Sequence, residues 1–206
     1  MIDQLITRFD GVLRVLAGVA EPVRESPAAA VADAPLTDSE RKHVAGLMRV
    51  NHAGEICAQA LYEGQSLTAQ DPRVRAGFQA AAREERDHLI WCRQRLNQLQ
   101  ARPSLLDPLW FASSFALGAA VGLLGDKVSL GFVEATEDGV VQHLQRHEAR
   151  LPEQDARSHA VLAQMRADEG RHGADALAAG GALLPAPIKQ LMVMSAKVMT
   201  TLSYRF

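Results

Sequence analysis

Cysteine is nearly absent from this chain: Cys57 and Cys92 are the only two in 206 residues. They are too few for a disulfide scaffold and too far apart for a CxxC motif, which fits a reduced, cytoplasmic setting. Both read as small core residues rather than reactive thiols. Aromatic residues are scarce at 5%, and no basic block stands out against a formal net charge of -2. Nucleic acid is therefore not an expected partner. The N-terminus lacks a basic leader followed by an unbroken apolar core, because Asp3 and Asp10 interrupt it. Neither a signal peptide nor an Arg- and Ser-rich transit peptide is expected.

What is present favours helix. Ala, Leu, Val, Glu, Gln and Arg dominate, and the length suits one core and one domain. Ile2, Leu5, Ile6, Phe9, Leu13 and Leu16 recur at helical spacing, so an amphipathic N-terminal helix is expected. Its polar face lacks the basic richness of a membrane-surface helix, and packing on the domain is the expected role. Residues 21–35 are rich in Ala and Pro without a period and read as a linker. The chain thus divides into residues 1–36, helix and linker, and residues 37–206, the main domain.

Thr37 and Glu40 have capping-box spacing and open a long helix to about residue 69. Asp71-Pro72 restarts a second helix that fades before Pro103. Residues 108–125 are uncharged and apolar, with Pro at one end and Gly and Ser within. They stand at the lower edge of a transmembrane length, so a buried or membrane-dipping helix is expected. A further helix begins near Asp126, another at Pro152-Glu153 ending at Gly180-Gly181, and a Met-bearing apolar segment closes the chain.

Glu85-Arg86-Asp87-His88 returns once, as Glu169-Gly170-Arg171-His172. Residues three apart share a helix face, so each copy can aim one oxygen and one nitrogen at one ion. A single Glu-x-x-His is most often a solvated face; two copies in long helices invite a search for further carboxylates. Glu55 on the first long helix and Glu137 or Glu134 on the third complete the set. One Glu from each of two helices with Glu-x-x-His from two others is the ligand set of ferritin-like di-iron and di-manganese bundles. Four clustered carboxylates would be costly to bury without cations, and oxygen-rich, thiolate-free ligation suits Fe or Mn. Each ligating His needs an acceptor for its other ring nitrogen, for which Asp87, Asp168 and Asp138 are candidates. His52, His143 and His147 read as structural groups. Tyr62 reads as a core aromatic rather than a relay.

The segments Arg49-Val50-Asn51-His52-Ala53-Gly54-Glu55, Glu85-Arg86-Asp87-His88-Leu89, Pro108-Leu109-Trp110 with Phe115-Ala116-Leu117-Gly118-Ala119, Glu134-Ala135-Thr136-Glu137 and Asp168-Glu169-Gly170-Arg171-His172 occur in this order. Together they resemble the Coq7 (demethoxyubiquinone hydroxylase) family from about Thr37 to the C-terminus. The resemblance implies an all-α fold, a ferritin-like four-helix bundle with extra apolar helices. It implies two Fe ions per chain held by Glu55, Glu85, His88, Glu137, Glu169 and His172, and it decides Glu137 over Glu134. It further implies an O2-dependent monooxygenase acting on the ring of a polyprenylated benzoquinol in ubiquinone biosynthesis, with an external electron donor such as NADH. The expected location is peripheral, at the cytoplasmic face of a bacterial membrane, with Trp110 and Phe111 as membrane-facing aromatics. A homo-oligomer or a lipid-presenting helper protein is a candidate partner. Two rivals remain: a ferritin-like protein that oxidises or stores iron, and a structural or lipid-binding bundle whose Glu and His are incidental.

Overall fold

A computed structural model describes residues 22–206; the segment expected to form the N-terminal amphipathic helix lies outside the described residues. Six helices follow in order: α1 (Asp38–Thr68), α2 (Pro72–Gln98), α3 (Asp107–Gly122), α4 (Asp126–Glu148), α5 (Ala156–Ala178) and α6 (Ala186–Arg205). Among the described residues there is no strand. Helices α1, α2, α4 and α5 form the bundle. Helix α3 lies along the outside of α1, and α6 packs mainly against α1 as well.

The local signals explain the boundaries. Thr37 accepts from the Glu40 backbone while the Glu40 carboxylate returns to the Thr37 backbone N–H, closing the capping box. Removing such a cap typically costs about 1 kcal/mol. Asp71 caps α2 ahead of Pro72. Helix α5 starts later than its Pro152-Glu153 signal, because Asp155 is the residue whose side chain accepts from the Ser158 N–H. Gly125 (φ 101°) and Gly180 (φ 99°) take left-handed conformations at the start of α4 and just beyond α5.

Helices α1 and α3 meet backbone to backbone. A Cβ on Gly64 would strike the Phe115 carbonyl, and one on Gly118 would strike the Leu61 carbonyl. Trp110 and Phe111 do not point outward as expected. They are half-buried against Ile56 and Leu89, and Trp110 Nε1 donates to Ser203 Oγ at 3.1 Å. The pitch of α3 instead turns Leu109 and Leu117 outward, the turn after it exposes Leu123 and Leu124, and α6 exposes Leu191, Val193, Met194 and Val198. Among the described residues no helix is long and apolar enough to cross a membrane.

Residues 22–37 have no helix, as expected of a linker, but they are fastened to the bundle. Ala28 is buried in the core, Arg157 donates to the Val31 carbonyl, and Asp33 pairs with Arg95. Inside the bundle, most buried apolar residues gather in two clusters besides the Ile56–Leu89 pair. One holds Leu47, Met48, Trp91, Leu96, Leu144 and Met165; the other holds Tyr62, Phe78, Leu130 and Val133. Each bundle helix contributes to both clusters and leaves a polar layer between them. That layer is the candidate site.

Candidate metal centre

Glu55 on α1, Glu85 and His88 on α2, Glu137 on α4, and Glu169 and His172 on α5 all turn into this layer and are all buried. They fall into two overlapping groups. Glu55, Glu85, His88 and Glu169 bring ligand atoms within 4.8 Å of one another, and so do Glu85, Glu137, Glu169 and His172. Glu85 and Glu169 are common to both groups. Glu134 lies outside the cluster, where its carboxylate receives Lys189 Nζ at 3.2 Å.

The imidazoles are oriented alike. His88 Nδ1 faces inward, 3.2 Å from Glu85 Oε2, 3.0 Å from Glu169 Oε1 and 3.6 Å from Glu55 Oε2. His172 Nδ1 lies 3.2 Å from Glu85 Oε1 and 3.1 Å from Glu169 Oε2. The outer nitrogens cross over. His88 Nε2 is 3.0 Å from Asp168 Oδ2, and His172 Nε2 is 3.4 Å from Glu84 Oε2. The residue preceding each motif's Glu therefore serves the histidine of the other motif. Of the three acceptors considered from sequence, Asp168 takes this role. Asp138 accepts from Gln142 on the surface instead, and Asp87 accepts the backbone N–H groups of Val23 and Arg24. Glu84 was not foreseen.

Tyr62 was also underestimated. Its hydroxyl donates to Glu137 Oε1 at 2.6 Å. The signal was available, since Tyr62 stands two turns beyond Glu55 on the same helix face. A shallow cleft between α1 and α4, with a volume of only about 10 Å³, is lined by Ala58, Leu61, Phe132, Val133 and Thr136 and reaches Tyr62 and Glu137. His147 and His143 stay outside the cluster: His147 Nδ1 meets Asn51 Oδ1 at 2.8 Å and the two rings lie 3.9 Å apart. His52 lies against Asp107. Cys92 is buried and Cys57 half-buried; desolvation pushes the Cys57 thiol up to about 11 and also raises Cys92.

Electrostatics divide the carboxylates. Burial, reinforced by neighbouring carboxylates, pushes Glu55 and Glu137 well above the usual range. Burial acts on Glu85 in the same sense, but hydrogen bonds from His172 and His88 outweigh it and hold Glu85 low. Burial disfavours both imidazolium ions, yet their acidic partners win: His88 is raised well above its ordinary value and His172 to about 11. In the metal-free protein, two imidazolium ions and protonated carboxyls thus offset the buried negative charge. The offset is incomplete in hydrogen bonding. Glu137 Oε2 is a buried oxygen without a hydrogen-bond partner, and Glu85 Oε1 and Glu169 Oε1 meet imidazole nitrogens at 3.2 and 3.0 Å outside hydrogen-bond geometry; unpaired buried acceptors are costly. Convergent buried carboxylate oxygens with two inward imidazole nitrogens fit a di-iron site.

Comparison with known proteins agrees. The family described as "Ubiquinone biosynthesis protein COQ7" matches residues 42–203. A 3-demethoxyubiquinol 3-hydroxylase of Ralstonia pickettii is 56% identical over 216 residues, covering 100% of both chains. Proteins of the same name from Cupriavidus pinatubonensis and Pseudomonas aeruginosa are 55% and 53% identical, over 99% of this chain and 100% and 95% of theirs. Among solved structures, a dodecameric thioferritin from Bacteroides fragilis superposes with a TM-score of 0.57 at 19% identity, over 66% of this chain and 83% of that one. This last likeness establishes the ferritin-like fold alone.

Proposed function

The chain belongs to the COQ7 family, and on that premise we propose that it is a di-iron monooxygenase that hydroxylates the ring of a polyprenylated 3-demethoxyubiquinol. The observation that carries the reading is the pair of four-residue groups sharing Glu85 and Glu169. Glu55 and His88 would complete one iron site, and Glu137 and His172 the other. Iron bound there supplies the redox chemistry by which O2 delivers one oxygen atom to the ring, with electrons from an external donor such as NADH.

The remaining tasks fall to the chain's own residues. Asp168 and Glu84 fix the two rings by accepting from their outer nitrogens, leaving Nδ1 free as ligand atom. Tyr62 holds a proton at its hydroxyl, directed at Glu137 Oε1; burial above all keeps it there. The α1–α4 cleft brings an apolar surface to that same Glu137 and is the proposed approach for the ring. The two apolar clusters exclude water from either side of the polar layer.

Substrate tail and membrane are proposed partners. The outward Leu residues at and just after α3 and the apolar face of α6 support peripheral docking to a membrane; the cytoplasmic face of a bacterial membrane is the proposed location. The same faces argue against a protein that only stores iron. Two measurements test the reading. Reconstituted protein should hold two irons per chain and, once reduced without air and then given O2, yield one hydroxylated quinol per turnover. Iron-free protein or oxidised iron without product would overturn it. Leu123→Ser with Leu124→Ser should weaken vesicle flotation and turnover of a long-tailed quinol while sparing a short-tailed analogue; undiminished flotation would place the docking face elsewhere.

A further inference from the structure

We propose that Arg24 is a positioning residue for the His88 imidazole, and that residues 22–37 thereby act as a strap completing one of the two metal sites. The inference rests on the metal-centre reading above but concerns a part of the chain outside the matched family region, which begins at residue 42.

The strap is aimed at one place. The backbone N–H groups of Val23 and Arg24 donate to the two carboxylate oxygens of Asp87, at 2.7 and 3.2 Å. Trp91 Nε1 donates to the Arg24 carbonyl at 3.2 Å, and the guanidinium stacks over the Trp91 ring, 4.9 Å from its centroid. These contacts fix the side chain. Its Nε donates to Asp87 Oδ2 at 3.1 Å, and one terminal nitrogen donates to Asp168 Oδ2 at 2.8 Å. The other lies 3.2 Å from His88 Nε2.

Asp168 Oδ2 is the atom that His88 Nε2 meets at 3.0 Å. Arg24 therefore grips the same oxygen that orients the imidazole. It also shares the charge of that oxygen, which tempers how strongly Asp168 polarises the ring. A guanidinium can do this because its planar fork reaches Asp87 and Asp168 together; an ammonium cannot. At the opposite motif the grip on Glu84 Oε2, the oxygen that faces His172 Nε2, comes from the half-exposed Arg171 at 2.8 Å, and Arg24 lies 4.0 Å from it.

The test is anaerobic titration of the metal-free full-length chain with Fe(II) or Co(II), read by calorimetry and by cobalt absorption bands. Wild-type protein should take up two ions. Arg24→Ala should weaken one of them about 10-fold, the usual scale for losing a group that orients a ligand, and shift only that ion's bands. Arg24→Lys should recover part of the loss. Asp33→Ala, which loosens the same strap at its far anchor, should leave both affinities within about 2-fold. Unchanged affinities in Arg24→Ala, equal weakening of both ions, or an equal loss in Asp33→Ala would overturn the proposal. Wild-type protein that takes up fewer than two ions would instead overturn the metal-centre reading on which it rests.

Discussion

The two halves of the centre carry the same ligand types but different surroundings. At the His88 end, the ring is fully buried and its partner Asp168 is nearly so, held by Arg24, Arg171 and Gln164. At the His172 end, the partner Glu84 is 31% exposed and Arg171 is 46% exposed. Tyr62 and the α1–α4 cleft also lie on this second side, against Glu137. A duplicated motif thus fixes what binds, and the flanking elements decide which site is sealed and which is approached.

The strongest challenge to that division is to remove what the halves share. Glu85→Ala or Glu169→Ala should abolish both metal sites, with iron below one ion per chain and turnover reduced at least about 1000-fold, while circular dichroism stays helical. Glu55→Ala and Glu137→Ala should each strip mainly one site and still stop hydroxylation. Near-normal iron in either shared-residue variant would show that the halves are independent.

Next in size is the contrast between the outer acceptors. Asp168→Asn should reduce metal affinity towards the upper end of the 10- to 100-fold range known for such partners, and Glu84→Gln towards the lower end. Water can replace Glu84 but has little access to Asp168. Equal losses in competition titrations would erase the distinction between sealed and open ends.

A third test uses pH. In metal-free protein, Glu55, Glu137, His88 and His172 all have raised folded-state values. A raised value contributes stability that is full below the unfolded value and disappears as pH climbs through the folded one. For His172 that window runs from about 6.5 to about 11. Glu85, held low, contributes oppositely and only in acid. Thermal melting of the metal-free chain should therefore fall between pH 6 and pH 9. Glu137→Gln should flatten part of the slope, and a slope of opposite sign would contradict the charge assignment.

The smallest effect is expected from Tyr62→Phe. It leaves Glu137 Oε1 without its donor, which should destabilise the metal-free protein by about 1–3 kcal/mol. Denaturant titration measures this directly. The difference should shrink after iron loading, because Glu137 then has a cation to bind.

Much of this was readable from residue order. The capping box at Thr37, the Asp71-Pro72 restart and the paired Glu-x-x-His motifs act within one or two helical turns, so local spacing carries them. Five of the six clustered residues were named for the same reason; the choice of Glu137 over Glu134 came from the family resemblance. The crossed pairing of Asp168 with His88 and Glu84 with His172 was not readable, because it depends on how α2 faces α5. Nor was the strap: Pro- and Ala-rich residues 22–37 have no period, and their anchors are single contacts to distant helices. Trp110 and Phe111 misled because hydrophobicity alone does not tell an inner face from an outer one. The rotation of α3 about its axis is set by Gly64 and Gly118 meeting the α1–α3 crossing.

That glycine crossing has a mechanical consequence. With no side chains between Gly64 and the Phe115 carbonyl, or between Gly118 and the Leu61 carbonyl, helices α1 and α3 have no compressible layer along which to slide. They move as one stiff plate that carries Glu55 and Tyr62. Opening is therefore expected on the other wall, along α4. Amide hydrogen exchange would show this as matched, slow protection at residues 61–64 and 115–119, and faster opening along α4.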